Sequence, residues 1–143
     1  PTPEPASMKP GTTCRFVCTL GAVALQQGAL AAPLLRCEVT YAGATQQVQA
    51  RMVDDPYSVP SVDIGGRFHF KAVMVGRGEH IESIALYAYL DTRRQPILVQ
   101  EAKYLPPYHS GVTPYLLTGE QHIYAGEVER ELIYHCTLEG VAP

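Results

Sequence analysis

Leu34-Leu35-Arg36-Cys37-Glu38-Val39-Thr40-Tyr41 is the stretch that decides the fold. Leu35, Cys37, Val39 and Tyr41 alternate with Arg36, Glu38 and Thr40. A period of two sends one set to an apolar face and the other to water, which is a half-buried β-strand. Ala42-Gly43-Ala44-Thr45 follows as a turn. Val48, Ala50 and Met52 then alternate with Gln47, Gln49 and Arg51, so the two runs read as a hairpin.

The same period continues toward the C-terminus. Asp54-Asp55-Pro56-Tyr57-Ser58-Val59-Pro60 is a loop, broken by Pro and Asp. Gly65-Gly66 opens a strand with Phe68, Phe70, Ala72 and Met74 inside and Arg67, His69 and Lys71 outside. Residues 81–90 are apolar on both faces after Glu82, which fits a central strand better than the short helix that Ala and Leu would also allow. Residues 96–104 form a further strand, with Pro96 at its first position. Residues 105–119 read as irregular, and 122–124 as a short strand. In the last strand Val128, Leu132, Tyr134, Cys136 and Leu138 alternate with Glu127, Glu129, Glu131, His135 and Thr137, leaving a row of three glutamates on one face, with His135, like His69, expected to be mostly exposed. That row reads as a partner for Arg93, Arg94 or Lys71, or as an edge guard. As a single-sided row it is no calcium cage.

Six or seven strands joined by Pro/Gly turns make an all-β domain, a small sandwich or barrel. The preferred architecture is an antiparallel β-sandwich of immunoglobulin-like type. Trp is absent, so the resemblance stops short of an antibody domain with its core Trp.

Upstream lies a different pattern. Lys9 and Arg15 precede the apolar run Phe16 to Leu25, Gln26-Gln27-Gly28 ends it, and Ala29-Leu30-Ala31 fits small-x-small cleavage. The expectation is a cleavable signal peptide within residues 1–31, with residues 1–7 an upstream extension, and one exported domain over 32–143. The run is too short to span a bilayer, so no membrane span is expected after cleavage. Cys14 and Cys18 leave with the signal. Cys37 and Cys136 remain, each on an apolar face near one end of the domain, and an oxidising compartment favours their pairing as a disulfide that joins the first and last strands across the core. The location is then periplasmic or secreted.

With 11 Lys or Arg against 14 Asp or Glu, the net charge is −3. No basic block exists, which argues against nucleic acid as a partner. Five histidines with Met52 and Met74 raise a copper-handling alternative. Their spacing shows no HxH and no Met-rich run, so no metal ligand set and no cofactor are assigned. Ser110 beside His109 is the one pair that hints at a secreted hydrolase, and GxSxG is missing.

The loop 104–117 carries Tyr104, Tyr108, His109 and Tyr115 among Pro106, Pro107 and Pro114. Tyrosine offers contact area at small entropic cost, and proline pre-orders a loop. These four residues are the candidate binding set, unless the tyrosines only cover the core's edge. The loop around Tyr57 is next in line. The functional reading is a non-enzymatic exported domain that binds a protein or a surface polymer through its loops.

Overall fold

Alternating sequence becomes alternating burial along almost every strand. The computed structural model describes residues 1–3, 5–6 and 31–143. The signal-peptide expectation covers residues 8–31, of which 8–30, with Cys14 and Cys18, lie outside the described residues. Among the described residues, no helix is long and apolar enough to cross a membrane.

The class is all-β. Among the described residues nine strands run in the order β1 (Leu34–Tyr41), β2 (Ala44–Val53), β3 (Val62–Ile64), β4 (Phe68–Arg77), β5 (His80–Leu90), β6 (Ile97–Tyr104), β7 (Tyr115–Leu116), β8 (Gln121–Ala125) and β9 (Arg130–Glu139). They form one sheet, β6-β5-β4-β2-β1-β9-β7, with β3 on β4 and β8 on β9, nearly closed into a barrel. Every pairing is antiparallel except one: the end of β2 lies parallel to β4 at Met52↔Met74 and Val53↔Val75, and this short contact stitches the two halves together. The strand count exceeds six or seven because β3 and β7, three and two residues long, are too short to show a period.

The inward set is the expected one. Leu35, Cys37, Val39, Phe68, Phe70, Met74, Ile84, Leu86, Leu132, Tyr134, Cys136 and Leu138 are buried. Phe70 packs on Tyr134 with ring centroids 4.9 Å apart, and Tyr41 meets Phe68 edge-on at 5.4 Å. Tyr41 also covers Gly65, which has φ +62°. A Cβ there would stand 2.7 Å from the Tyr41 ring, so both the turn and the packing require glycine.

Three details depart from the sequence reading. The disulfide Cys37–Cys136 joins register partners in neighbouring strands, so it lies within the sheet and not across the core. Glu127 and Glu129 do not belong to the last strand. Ala125 pairs with Arg130, and residues 126–129 make the turn between β8 and β9, with Gly126 at φ 89° and Glu129 at φ 47°. Val128 is accordingly exposed, and only Glu131 of the expected row sits on β9. Its carboxylate meets His122 and Tyr124, not Arg93, Arg94 or Lys71. Finally, His69 and His135 are half-buried on the outer face, not mostly exposed, because each lies against a carboxylate, Asp91 at 3.8 Å and Glu38 at 3.3 Å.

Candidate functional site

The loop 104–117 is tied down on both sides. Tyr108 donates its hydroxyl to the Tyr104 carbonyl at 2.7 Å. The Tyr115 hydroxyl accepts the His109 backbone N–H at 3.2 Å, and the His109 ring lies on the Tyr115 ring at 4.9 Å. Gly111 exchanges backbone bonds with Gly140 and Val141, each 2.9 Å. Tyr104, Tyr108 and Tyr115 are half-buried against the core, and burial raises the hydroxyl pKa of Tyr104 and of Tyr108. The structure brings the four residues together, in the posture of a cover over the core's edge. The loop's exposed apolar residues are instead Leu105, Val112 and Leu116.

The histidines are dispersed. His122 sits between Glu131 (Nδ1 to Oε1, 2.7 Å) and Glu120 (Nε2 to Oε1, 2.9 Å). Both ring nitrogens are therefore engaged with carboxylates. These bonds raise the His122 pKa, Glu131 first and Glu120 second, while His122 and then Tyr124 lower that of Glu131. Met74 is wholly buried and Met52 half-buried among core residues, the ordinary place for thioether filling. Among the described residues, no group of three or more His, Cys, Asp or Glu side chains is arranged to hold a metal ion.

A different surface collects aromatic side chains away from the core, Tyr57 exposed and Tyr87 and Tyr89 half-buried. On the outer face of β4 and β5, Lys71 pairs across with Tyr87 and His69 with Tyr89. Tyr87 and Tyr89 are two positions apart, so they share a face, and their rings stack at 6.3 Å with 23° between planes. Tyr57 lines a hollow with them, from a 3-10 turn at Pro56–Ser58. Asp55 caps that turn by accepting the Tyr57 N–H at 2.9 Å, Ser58 Oγ donates to the Asp55 carbonyl at 2.8 Å, and Pro56 and Pro60 stiffen both flanks. Burial raises the Tyr87 hydroxyl pKa most, with Glu101, Tyr89 and Tyr57 adding to it.

Two hollows flank this cluster. One, of about 430 Å³, is lined by Val59, Ser61, His69, Lys71, Tyr89, Gln95 and Pro96. The other, of about 340 Å³, is lined by Pro56, Tyr57, Lys71, Val73, Tyr87 and Tyr89. They share Lys71 and Tyr89, so they read as one groove.

Comparison with protein-family models, with curated proteins and with solved structures finds no match.

Sequence reasoning reached Tyr57 as its second choice and missed Tyr87, Tyr89 and Lys71. The signal was available. In a strand apolar on both faces, Tyr87 and Tyr89 are the positions out of phase with Ile84, Leu86 and Ala88. Two tyrosines on the outer face of a central strand have no core to fill.

Proposed function

We propose that this chain is an exported, non-enzymatic β domain, periplasmic or secreted, that holds a protein or a surface polymer on the face formed by Tyr57, Tyr87 and Tyr89. One observation carries this reading. The Tyr57 side chain is 91% exposed on a turn that is capped and flanked by proline. An aromatic ring held out to water on a rigid turn adds nothing to the core, and its desolvation is gained only when something covers it. Export is supported by the three-part leader pattern and by the Cys37–Cys136 bridge. In architecture, we read the two halves of the sheet as facing layers of an immunoglobulin-like sandwich. The contact of Phe70 on β4 with Tyr134 on β9, strands that are not neighbours in the nearly closed sheet, is one that such facing layers would make.

The test is co-sedimentation of the purified domain with envelope material from cells, comparing the native chain with a Tyr57→Ala/Tyr87→Ala variant. The variant is expected to fold, by its circular dichroism and melting, and to stay in the supernatant while the native chain pellets. Equal sedimentation of both removes this face from the function.

A further inference from the structure

We infer that the ligand of the Tyr57–Tyr87–Tyr89 groove is an anionic polysaccharide, its sugar rings lying on the tyrosines and a carboxylate on Lys71. This rests on the binding reading above and names the chemistry of that site.

The floor of the groove argues against an extended peptide. It is built on β4 and β5, which hydrogen-bond each other and also carry further strands, β3 and β2 on β4 and β6 on β5. From Ile84 to Leu90, where Tyr87 and Tyr89 stand, β5 is paired on both sides, and on β4 only the three residues Lys71–Val73 lie between the β3 and β2 pairings, too short a gap for a peptide to extend the sheet, which is how extended peptides gain affinity from a strand. Recognition there falls to side chains. Those side chains alternate between flat aromatic faces and polar tips: Tyr89 and Tyr87 beside Lys71, His69 and Gln95, with Tyr57 as the wall. A sugar ring matches that alternation, since it presents C–H groups on its faces and hydroxyls on its rim. The Tyr87–Tyr89 ring separation of 6.3 Å is of the order of one sugar ring, so neighbouring rings in a chain can be met in turn.

The charge of the ligand follows from the lining. The chain carries 14 acidic residues, yet none lines either hollow, while Lys71 lines both and His69 lines one. Asp91 lies 3.8 Å from His69, Asp63 of β3 pairs across from His69, and Glu101 of β6 pairs across from Tyr87; all three stand beside the groove but outside its lining. Among the described residues, Lys71 has no carboxylate within ion-pair distance. An ammonium on an aromatic floor, in a groove whose lining holds no carboxylate, is complementary to a uronate-type carboxylate.

Affinity electrophoresis tests this with four polymers in the gel: alginate and polygalacturonate as anionic glycans, dextran as an uncharged glycan, and poly-glutamate as an anionic peptide. The native chain is expected to be retarded by at least one of the two uronate polymers, and by neither dextran nor poly-glutamate. Tyr57→Ala should abolish retardation, Lys71→Gln should weaken it about tenfold, and Lys71→Arg should keep it. Equal retardation by dextran overturns the role of Lys71, and equal retardation by poly-glutamate overturns the sugar. No retardation by either uronate polymer overturns the inference. In that case, envelope sedimentation that still depends on Tyr57 and Tyr87 leaves the binding face standing with another ligand. Sedimentation independent of both tyrosines brings down the face as well.

Discussion

Cys37 and Cys136 face each other in adjacent antiparallel strands with their Cα atoms 4.0 Å apart, because the backbone of Cys136 is turned away from β1. Its carbonyl accepts the Leu117 N–H at 2.9 Å, and its N–H is bound by Thr118 Oγ1 at 2.9 Å. With both groups spent on the 117–118 segment, Cys37↔Cys136 is a non-hydrogen-bonded pair, the closer of the two kinds in an antiparallel ladder. The bridge closes a loop of 99 residues between the first and last long strands.

Opening that loop should cost much of the domain's stability. In the chain-entropy account, a loop near 100 residues is worth about 4–5 kcal/mol. Denaturant unfolding with and without reductant is expected to show a large fall in midpoint. Mass spectrometry of non-reduced peptides should find the segments holding Cys37 and Cys136 joined.

Thr118 fills a gap in a ladder. β8 pairs with β9 up to Tyr134, and β7 pairs with it from Thr137. At Cys136 neither strand offers a partner, and the buried Thr118 hydroxyl supplies it. Thr118→Val keeps the shape and removes the acceptor, leaving a buried N–H unsatisfied. The expected loss is about 1–3 kcal/mol by thermal or chemical melting, with the disulfide still formed.

Most of the fold could be read from alternation, because each long strand has one face in the core and the period of two states which. Leu35, Phe68, Phe70, Tyr134 and Cys136 are buried as that rule requires. The rule fails where another term decides the backbone. Glu127-Val128-Glu129 keeps the alternation in sequence, yet Gly126 opens a turn there and the pattern becomes coincidental. Sheet closure is invisible for a different reason. Phe70 and Tyr134 meet through a contact between strands that share no turn, and no local pattern encodes it. At the candidate site, Tyr57 stood out by its proline neighbours. Tyr87 and Tyr89 did not, since a strand apolar on both faces hides which face its tyrosines occupy.

The tyrosines of the 104–117 loop should prove structural. Tyr108 and Tyr115 pack on the core and hold the loop through their hydroxyls. Replacing both by Ala is expected to lower the melting temperature clearly, as removal of half-buried aromatics does. An unchanged melting temperature with lost partner binding would return the binding surface to this loop.

The outer face of β8 and β9 should respond to pH. His122 bonds Glu131 and Glu120, and its pKa is raised above 6.5. Its contribution to folding is complete below 6.5 and is lost as pH rises through the raised value. Glu131 is lowered below 4.5, so its contribution is present above 4.5 and is lost as pH falls through the lowered value. The pair is therefore strongest between those two ordinary values. Both groups are exposed, so salt should weaken the effect. An NMR titration of the His122 ring is expected to give a value above 6.5 that moves down in Glu131→Gln.

Tyr134 couples the core to the sheet's other end. Its ring is buried, and its hydroxyl donates to Gln100 Oε1 of β6 at 2.7 Å. β6 and β9 are not neighbours in the sheet, so this bond ties one end of the strand order to the other. Burial, with Tyr104 nearby, pushes the Tyr134 pKa from 10.0 up to about 12. The sign follows from proton linkage. Above pH 10.0 the unfolded chain ionises this tyrosine while the folded chain does not. Its contribution to stability is thus whole below that pH and is lost as pH rises toward about 12. Tyr134→Phe removes both the bond and the titration. Near neutral pH the variant should be less stable by about 1 kcal/mol, the scale of one hydrogen bond. In alkali its stability should fall less steeply with pH than that of the native chain, and the difference isolates Tyr134 from the other tyrosines. Denaturant midpoints measured across the alkaline range decide the matter. Parallel curves for the two proteins would mean that Tyr134 ionises as freely in the folded chain as in the unfolded one.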